Sequence, residues 1–162
     1  MVLKKSHLWD IVDWPWMEND AAFYSVSTEE RWEFPWENIY VYDENGNLVL
    51  SLEDENEPQY FFALYERFLI LDSGTSASQR EMLVYEIPSW KVVYRTEYYP
   101  WKSGLQIGDG LIEYYKKVNE NEFASLPECD NEYDNGYIEK YWYDIWSDMD
   151  ADLWDVQCAY FE

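Results

Sequence analysis

Alternation of hydrophobic and polar positions through residues 38–118 predicts an antiparallel β-meander. Leucines alternate strictly from Leu48 to Leu52, one residue after the pair Asn45-Gly46, and the apolar run Ile39–Tyr42 precedes that pair. Asn-Gly between two such runs is the strongest short-range signal for a tight hairpin, in which both central residues take positive φ. We therefore expect a hairpin at this turn.

Five further apolar or alternating runs continue this pattern. They cover residues 61–64, 68–71, 82–87, 91–98 and 111–118. The run at 68–71 is continuous, as in a strand buried on both faces, and Gly108-Asp109-Gly110 indicates a turn before the last run. We predict a single curved sheet of six to eight strands.

Beyond residue 118 the hydrophobic period changes to steps of three and four. The stripe comprises Ile138, Tyr141, Trp142, Ile145, Met149, Leu153 and Val156. Such spacing is typical of an amphipathic helix, which Asp134 or Asn135 could begin. A second cap at residues 147–150 could divide it into two helices.

Together these patterns predict the α+β class in one domain, residues 1–162. It would consist of an aromatic-rich N-terminal segment (1–37), a β-meander (38–118) and an acidic helical segment (119–162). The chain length suits a single core.

The net charge of the chain adds the most to this interpretation of the sequence. The chain carries 34 Asp and Glu against 11 Lys and Arg, a net charge of −23, while 48% of its residues are hydrophobic and 20% aromatic. Residues 119–162 hold 13 of the acids and a single base, Lys140. The aromatic content argues against a disordered acidic tail, and the lack of surplus bases argues against binding nucleic acid through phosphates.

No residue pattern indicates catalysis. The only histidine is His7, near the N-terminus, so a nucleophilic triad would depend on one poorly placed residue. Asp148, Asp150 and Asp152 have the spacing that opens an EF-hand loop, but the required later glycine and glutamate are replaced by Leu153 and Ala159. Pairs of carboxylates for acid–base chemistry stay possible in principle, and so does a weak, non-specific cation site at the acid-rich end. We expect no enzyme, no cofactor and no specific metal site.

The sequence also bears on location. The first residues lack an apolar run, because Asp10 and Asp13 interrupt it, so no secretory signal is expected. No stretch approaches the roughly 18 apolar residues of a membrane span. Two cysteines, Cys129 and Cys158, are too few for a disulfide scaffold and are expected to be free thiols. We predict a complete chain in the cytoplasm of a bacterium or of a cell that hosts a virus.

The charge excess suggests a function, because solubility requires a net charge of only roughly 2–8. Long-range attraction of a cationic surface would use it, and the natural cationic surfaces in a cytoplasm handle nucleic acid. We therefore predict an acidic inhibitor that covers the basic surface of a nuclease or similar enzyme, as an immunity protein or anti-defence protein. The predicted contact residues are the acids Asp144, Asp148, Asp150, Asp152 and Asp155 and the rings Trp142, Tyr143 and Trp146.

Two alternatives stay open. The first is a literal DNA mimic acting on restriction or CRISPR-type enzymes: a domain about 40 Å across matches a length of duplex with around 23 phosphates. The second is a sugar- or peptide-binding module built on three aromatic-Pro-Trp corners, which lie at residues 14–16, 34–36 and 99–101.

Overall fold

The computed structural model describes residues 24–30, 37–53, 58–76, 79–87, 89–100 and 104–161. His7, the corners at 14–16 and 34–36, and Trp101 of the third corner lie outside these residues. The described part of the chain forms eleven strands and one short 3-10 helix, Glu120–Glu122. The strands are β1 (Ser25–Glu30), β2 (Glu37–Tyr42), β3 (Leu48–Leu52), β4 (Gln59–Tyr65), β5 (Phe68–Ser73), β6 (Arg80–Glu86), β7 (Lys91–Tyr98), β8 (Gln106–Gly108), β9 (Leu111–Lys117), β10 (Gly136–Asp144) and β11 (Met149–Ala159).

The strands form three sheets, so the prediction of a single curved sheet is wrong. Sheet 1 has the order β1-β2-β3, sheet 2 the order β4-β5-β6-β7 and sheet 3 the order β11-β10-β9-β8. Hydrophobic alternation identifies strands but not their hydrogen-bonding partners, because it reports only which side chains face a core. The chain therefore leaves one sheet and enters the next after β3 and after β7, although the hydrophobic alternation along the sequence does not change there.

The chain divides into two compact units, with the boundary falling inside β6 and β7. In the first unit, sheets 1 and 2 share one hydrophobic core. Its buried members are Val26, Ile39, Val41, Leu69, Leu71, Leu83 and Ile87. The predicted central strand at 68–71 is confirmed: all four side chains are buried.

The predicted hairpin at Asn45-Gly46 is present, with a longer loop than expected. Asp43 O accepts a hydrogen bond from Gly46 N at 3.0 Å, and Asp43 N donates to Asn47 O at 3.0 Å. Asp43 Oδ1 also accepts from the backbone N–H groups of Asn45 and Asn47, at 2.9 and 2.8 Å. Only Gly46 has positive φ, 77°, so the loop is a turn followed by one left-handed residue.

The two-residue turn with both φ positive lies instead between β8 and β9. Gly108 pairs with Leu111, and the intervening Asp109 and Gly110 have φ of 52° and 80°. These angles match the right-handed twist of the flanking strands.

The C-terminal helical segment and the α+β class are wrong. Residues 136–159 form the β10–β11 hairpin, and the described residues contain no α-helix. Tyr, Trp, Ile and Val favour strands because their side chains pack well on a pleated surface, and β10 is rich in them. Asp148, Asp150 and Asp152 recur at a period of two, a strand signal that the helical stripe obscured. The expected second cap at 147–150 is the hairpin turn and the start of β11.

The segment after β11 is fixed to the start of β10. Asn135 Nδ2 donates to Phe161 O at 2.8 Å, and Phe161 N donates to Asn135 Oδ1 at 2.7 Å. The Phe161 ring covers Gly136, where a Cβ would come within 2.6 Å of a ring atom. Tyr99 OH also donates to Tyr160 O. Asn135, expected to begin a helix, therefore joins the two ends of the hairpin.

Cys129 and Cys158 form a disulfide, which corrects the expectation of free thiols. The bond joins the long loop before β10 to the end of β11, across a sequence separation of 29 residues. The two cysteines meet because β11 runs antiparallel to β10 and returns the chain to the loop. In the part of the chain that the structure describes, no helix has the length and apolar character to cross a membrane.

Replacing both cysteines by serine should reduce the free energy of unfolding by about 3–4 kcal/mol, because a loop of this length gains that much chain entropy in the unfolded state. Urea unfolding of wild type and of Cys129→Ser/Cys158→Ser measures the change. Alkylation of the non-reduced wild type should label no thiol. Labelling of both cysteines would contradict the disulfide.

Candidate functional site

The residues from Asp144 to Asp155, here called the acidic hairpin, form the end of β10, the turn and the larger part of β11. They include five aspartates and no base. Ile145 N donates to Gly110 O at 3.0 Å, which brings the β8–β9 turn and the tip together. The Trp146 ring lies over Gly110, where a Cβ would come within 2.4 Å of Nε1. Glycine is therefore required beneath this ring.

Two of the aspartates build the tip. Asp144 Oδ1 accepts from Trp146 N at 2.9 Å, and its Oδ2 accepts from Ser147 Oγ at 2.8 Å. The hydrogen bond from Ser147, followed by that from Trp146, lowers the pKa of Asp144 below its usual range. Asp148, with φ of 52°, accepts from the hydroxyl of buried Tyr143 at 3.0 Å. Both carboxylates therefore shape the turn as well as contributing charge.

Strand register separates the remaining acids from the tip. Asp150 pairs with Tyr143 and Asp152 with Tyr141, so these four side chains share one face of sheet 3. Asp144 pairs with Met149 and lies on the opposite face with Trp142. Asp155 accepts from Gln157 Nε2 at 3.0 Å.

Large hydrophobic side chains are exposed among these acids. Trp146 is 48% exposed, Met149 57%, Leu153 40% and Trp154 79%. Exposed apolar groups concentrated in one segment are a mark of an interaction surface, and Trp is the residue most often found at the energetic centre of an interface.

Trp154 lies at an irregularity in the β10–β11 pairing. The register passes from Glu139–Val156 to Tyr141–Asp152, which leaves Leu153, Trp154 and Asp155 opposite the single residue Lys140. Trp154 has φ of 53°, a left-handed conformation that is unfavourable for a bulky side chain. An exposed tryptophan in a strained backbone points to a functional constraint.

Lys140, the only base of residues 119–162, is held mainly by a carboxylate outside the acidic hairpin. Its Nζ forms an ion pair of 2.8 Å with Glu113 Oε2 on β9. That hydrogen bond raises the pKa of Lys140, and the charge of Asp155 contributes less in the same direction. The main partner of this lysine is therefore on β9 and not in the hairpin.

A buried carboxylate and a tyrosine pair lie on the face that carries Asp150 and Asp152. Glu139 is 5% exposed, and its Oε2 accepts from Tyr141 OH at 3.1 Å. Burial, and then this hydrogen bond to Glu139, raise the pKa of Tyr141 to about 12. The Tyr141 and Tyr114 rings stack with centroids 5.9 Å apart.

The structure thus brings the eight contact residues expected from sequence together on one hairpin. It places Tyr143 in the interior, where it supports the tip, and leaves Trp142 half-buried. Sequence reasoning missed Trp154, Leu153 and Met149, because a helical stripe would have turned Met149 and Leu153 toward the core. The period-two aspartates were the signal that could have placed them on a strand.

One group of three potential metal ligands lies close together in the described residues: Cys129, Asp134 and Cys158. Both sulfurs are joined in the disulfide and so are not thiolate ligands, since metals bind the deprotonated thiol.

No protein-family model matches the chain, and neither a curated protein nor a solved structure matches it significantly.

Changing Glu139 to Gln should lower the pKa of Tyr141 from about 12 toward 10, because glutamine accepts the hydrogen bond without adding negative charge. The pKa should stay above 10, since burial is the larger cause. In wild type, the unfolded chain releases the phenol proton near pH 10 and the folded chain near pH 12. Stability contributed by neutral Tyr141 is therefore complete below pH 10 and lost as the pH rises toward 12.

NMR of ¹³C-labelled tyrosine rings measures these pKa values. The control variant is Glu128→Gln, which removes the same charge from an exposed position. A wild-type Tyr141 that titrates at 10 would contradict the described contact.

Replacing Asp148 by Ala should reduce the free energy of unfolding by about 1–3 kcal/mol, because the buried Tyr143 hydroxyl loses its acceptor. Asp148→Asn keeps an acceptor and suits the left-handed backbone, so its effect should stay within about 0.5 kcal/mol. Urea unfolding compares the two. Equal losses for both variants would mean that the charge of Asp148, and not its acceptor, holds the tip.

Proposed function

We propose that this chain is a non-catalytic binding protein that uses the acidic hairpin to cover a basic surface on another protein. A nuclease or other nucleic-acid-handling enzyme is the partner of the expected chemistry, and covering its surface would inhibit it. The observation that carries the proposal is Trp154, which is 79% exposed and has a positive φ of 53° in a segment with five aspartates and no base.

The aspartates and the aromatic side chains would have different roles in binding. Exposed aspartates attract a cationic surface over distance and raise the association rate by 10- to 1,000-fold at low salt. Affinity among related complexes is set mainly by dissociation, which buried aromatic anchors slow. The acidic hairpin supplies both kinds of group within twelve consecutive residues, 144–155.

The exposed rings favour this function over literal DNA mimicry. A phosphate backbone presents charge without hydrophobic side chains between the charges, whereas Met149, Leu153 and Trp154 are interspersed with the aspartates. The sugar-binding alternative gains no support from the described part of the third aromatic-Pro-Trp corner, because Tyr99 is buried and its ring packs in a tilted arrangement against Phe161.

The cytoplasmic location expected from sequence stays a prediction. The disulfide removes one of its premises, since such bonds persist mainly in oxidising compartments. A partner met outside a reducing compartment, such as a secreted nuclease, therefore fits the structure better than a cytosolic one.

Neutralising Asp150, Asp152 and Asp155 as Asn should slow association with the partner at least tenfold at low salt, because the local field weakens. The partner is identified first, by capture from a source lysate at low and high salt. Surface plasmon resonance then measures the rates. The control triple variant, Glu29→Gln/Glu44→Gln/Glu97→Gln, removes the same charge from exposed positions elsewhere and should slow association much less.

Trp154→Ala should leave the association rate unchanged and speed dissociation about tenfold or more. If both triple variants slowed association equally, the net charge of the whole protein, and not the acidic hairpin, would attract the partner. Unchanged dissociation in Trp154→Ala, together with a steep salt dependence, would favour DNA mimicry. Retention of only neutral or acidic proteins would overturn the electrostatic proposal.

A further inference from the structure

The end of sheet 3 that carries the disulfide brings three potential metal ligands together. The Sγ atoms of Cys129 and Cys158 and a carboxylate oxygen of Asp134 all lie within 4.8 Å of one another, and all three side chains are half-buried. Spacing along the chain does not reveal this group, because the two cysteines are 29 residues apart in sequence, whereas common zinc motifs place paired ligands a few residues apart.

Contacts that do not involve the disulfide hold Asp134 near Cys158. Asn135 N donates to Ala159 O at 3.1 Å, and the Asn135 side chain forms two hydrogen bonds with the backbone of Phe161. The residue after Asp134 is thus attached to the residues that follow Cys158. We therefore expect these two ligands to stay close together when the disulfide is broken.

A turn in the loop before β10 keeps Cys129 within reach of them. Asp134 N donates to Asn131 O at 3.1 Å, which closes a β-turn, and Tyr133 N donates to Asn131 Oδ1 at 3.2 Å. Only four residues lie between Cys129 and Asp134, and the chain turns within them. A freed Cys129 thiol therefore stays near the carboxylate.

The surroundings of this group favour a cation. Residues 119–135 carry six acids and no base, so their field attracts a divalent cation and opposes an anion. Among the residues that the structure describes, none forms a hydrogen bond or an ion pair with the Asp134 carboxylate. This carboxylate can therefore bind a metal without losing a protein contact.

Reduction converts the two sulfurs into ligands. In the oxidised protein they form a disulfide, whereas zinc binds deprotonated thiols. Exchange with two thiol groups of a reductant transfers two electrons and two protons to the cysteines and leaves the reductant as a disulfide. When Zn²⁺ binds, each cysteine releases its proton to solvent and donates a sulfur electron pair to the metal.

We propose that Cys129, Asp134 and Cys158 form a Zn²⁺ site in the reduced protein, with a water molecule as the fourth ligand. Zinc–sulfur bonds of about 2.3 Å and zinc–oxygen bonds of about 2.0–2.2 Å place the ligand atoms of a tetrahedral site roughly 3.5–3.8 Å apart. Breaking the disulfide lets the sulfurs separate to that distance. Rotation of the Asp134 side chain brings its oxygen closer from at most 4.8 Å.

This set of ligands favours zinc over calcium and magnesium. Thiolates are soft ligands that bind Zn²⁺, whereas Ca²⁺ and Mg²⁺ take oxygen ligands. Bound zinc joins the loop before β10 to the end of β11, as the disulfide does in the oxidised protein. The C-terminal sheet therefore has a cross-link in a reducing compartment as well as in an oxidising one. This inference does not depend on the proposed function.

Cobalt binding tests the site, because Co²⁺ replaces Zn²⁺ and its bonds to thiolates absorb light. The full chain is reduced with a phosphine under nitrogen and titrated with Co²⁺, and then with Zn²⁺. The reduced protein should bind one Co²⁺ per chain, with a sulfur-to-cobalt charge-transfer band in the difference spectrum. Zn²⁺ should remove that band, and the oxidised protein should not show it.

Two variants test the carboxylate ligand. Asp134→Asn removes its charge and should weaken Zn²⁺ binding to the reduced protein at least tenfold. The matched control is Asp130→Asn, which removes the same charge from the exposed position next to Cys129 and should change the affinity less than threefold. Competition with a chromophoric chelator measures both affinities. Because both variants keep the disulfide, their folding is checked first in the oxidised state.

Three results would each overturn the site: no charge-transfer band in the reduced protein, equal Zn²⁺ affinity of the reduced and oxidised forms, or equal weakening by Asp134→Asn and Asp130→Asn. If the reduced chain unfolds without metal, Zn²⁺ should restore the near-ultraviolet circular dichroism of the oxidised protein, and failure to restore it would also count against the site. None of these results bears on the proposed function, which the hairpin variants test in the oxidised protein.

Discussion

The pairing of β10 with β9 on one side and β11 on the other is the interaction on which the C-terminal sheet depends. It fixes the face of every side chain from Gly136 to Asp144, because neighbours along a strand point in opposite directions. Glu139 and Tyr141 therefore share a face with Asp150 and Asp152, while Trp142 and Asp144 share the other. The disulfide to Cys158 and the contacts of Phe161 hold the end of this hairpin in place.

Repulsion among carboxylates sets the second constraint. A net charge of −23 opposes a compact state, and the hairpin limits this cost by giving several aspartates local donors. Asp144 and Asp148 are held by the turn and by Tyr143. The apolar side chains left exposed beside them, Trp154 above all, gain less hydrophobic stabilisation from folding than buried side chains do.

Sequence pattern located most strands but not the C-terminal pair. Alternation at 48–52 and the continuous run at 68–71 identified β3 and β5, because burial on one or both faces leaves a direct trace in residue type. Ile138, Tyr141 and Ile145 also fit a helical period, because both faces of β10 carry hydrophobic side chains and Ile145 lies in the turn that follows. The pairing with β9, which supports the strand interpretation, joins residues that a local period does not compare.

The amino-acid sequence by itself determined that the last quarter of the chain is acidic and rich in aromatic residues, since composition alone sets both properties. It also placed the predicted contact residues near one another, because they are close in the chain. Tertiary structure alone decided which acids share a face, that Tyr143 is interior and Trp154 exposed, and that Cys129 meets Cys158. These outcomes depend on strand register and on long-range pairing, and no local period encodes either.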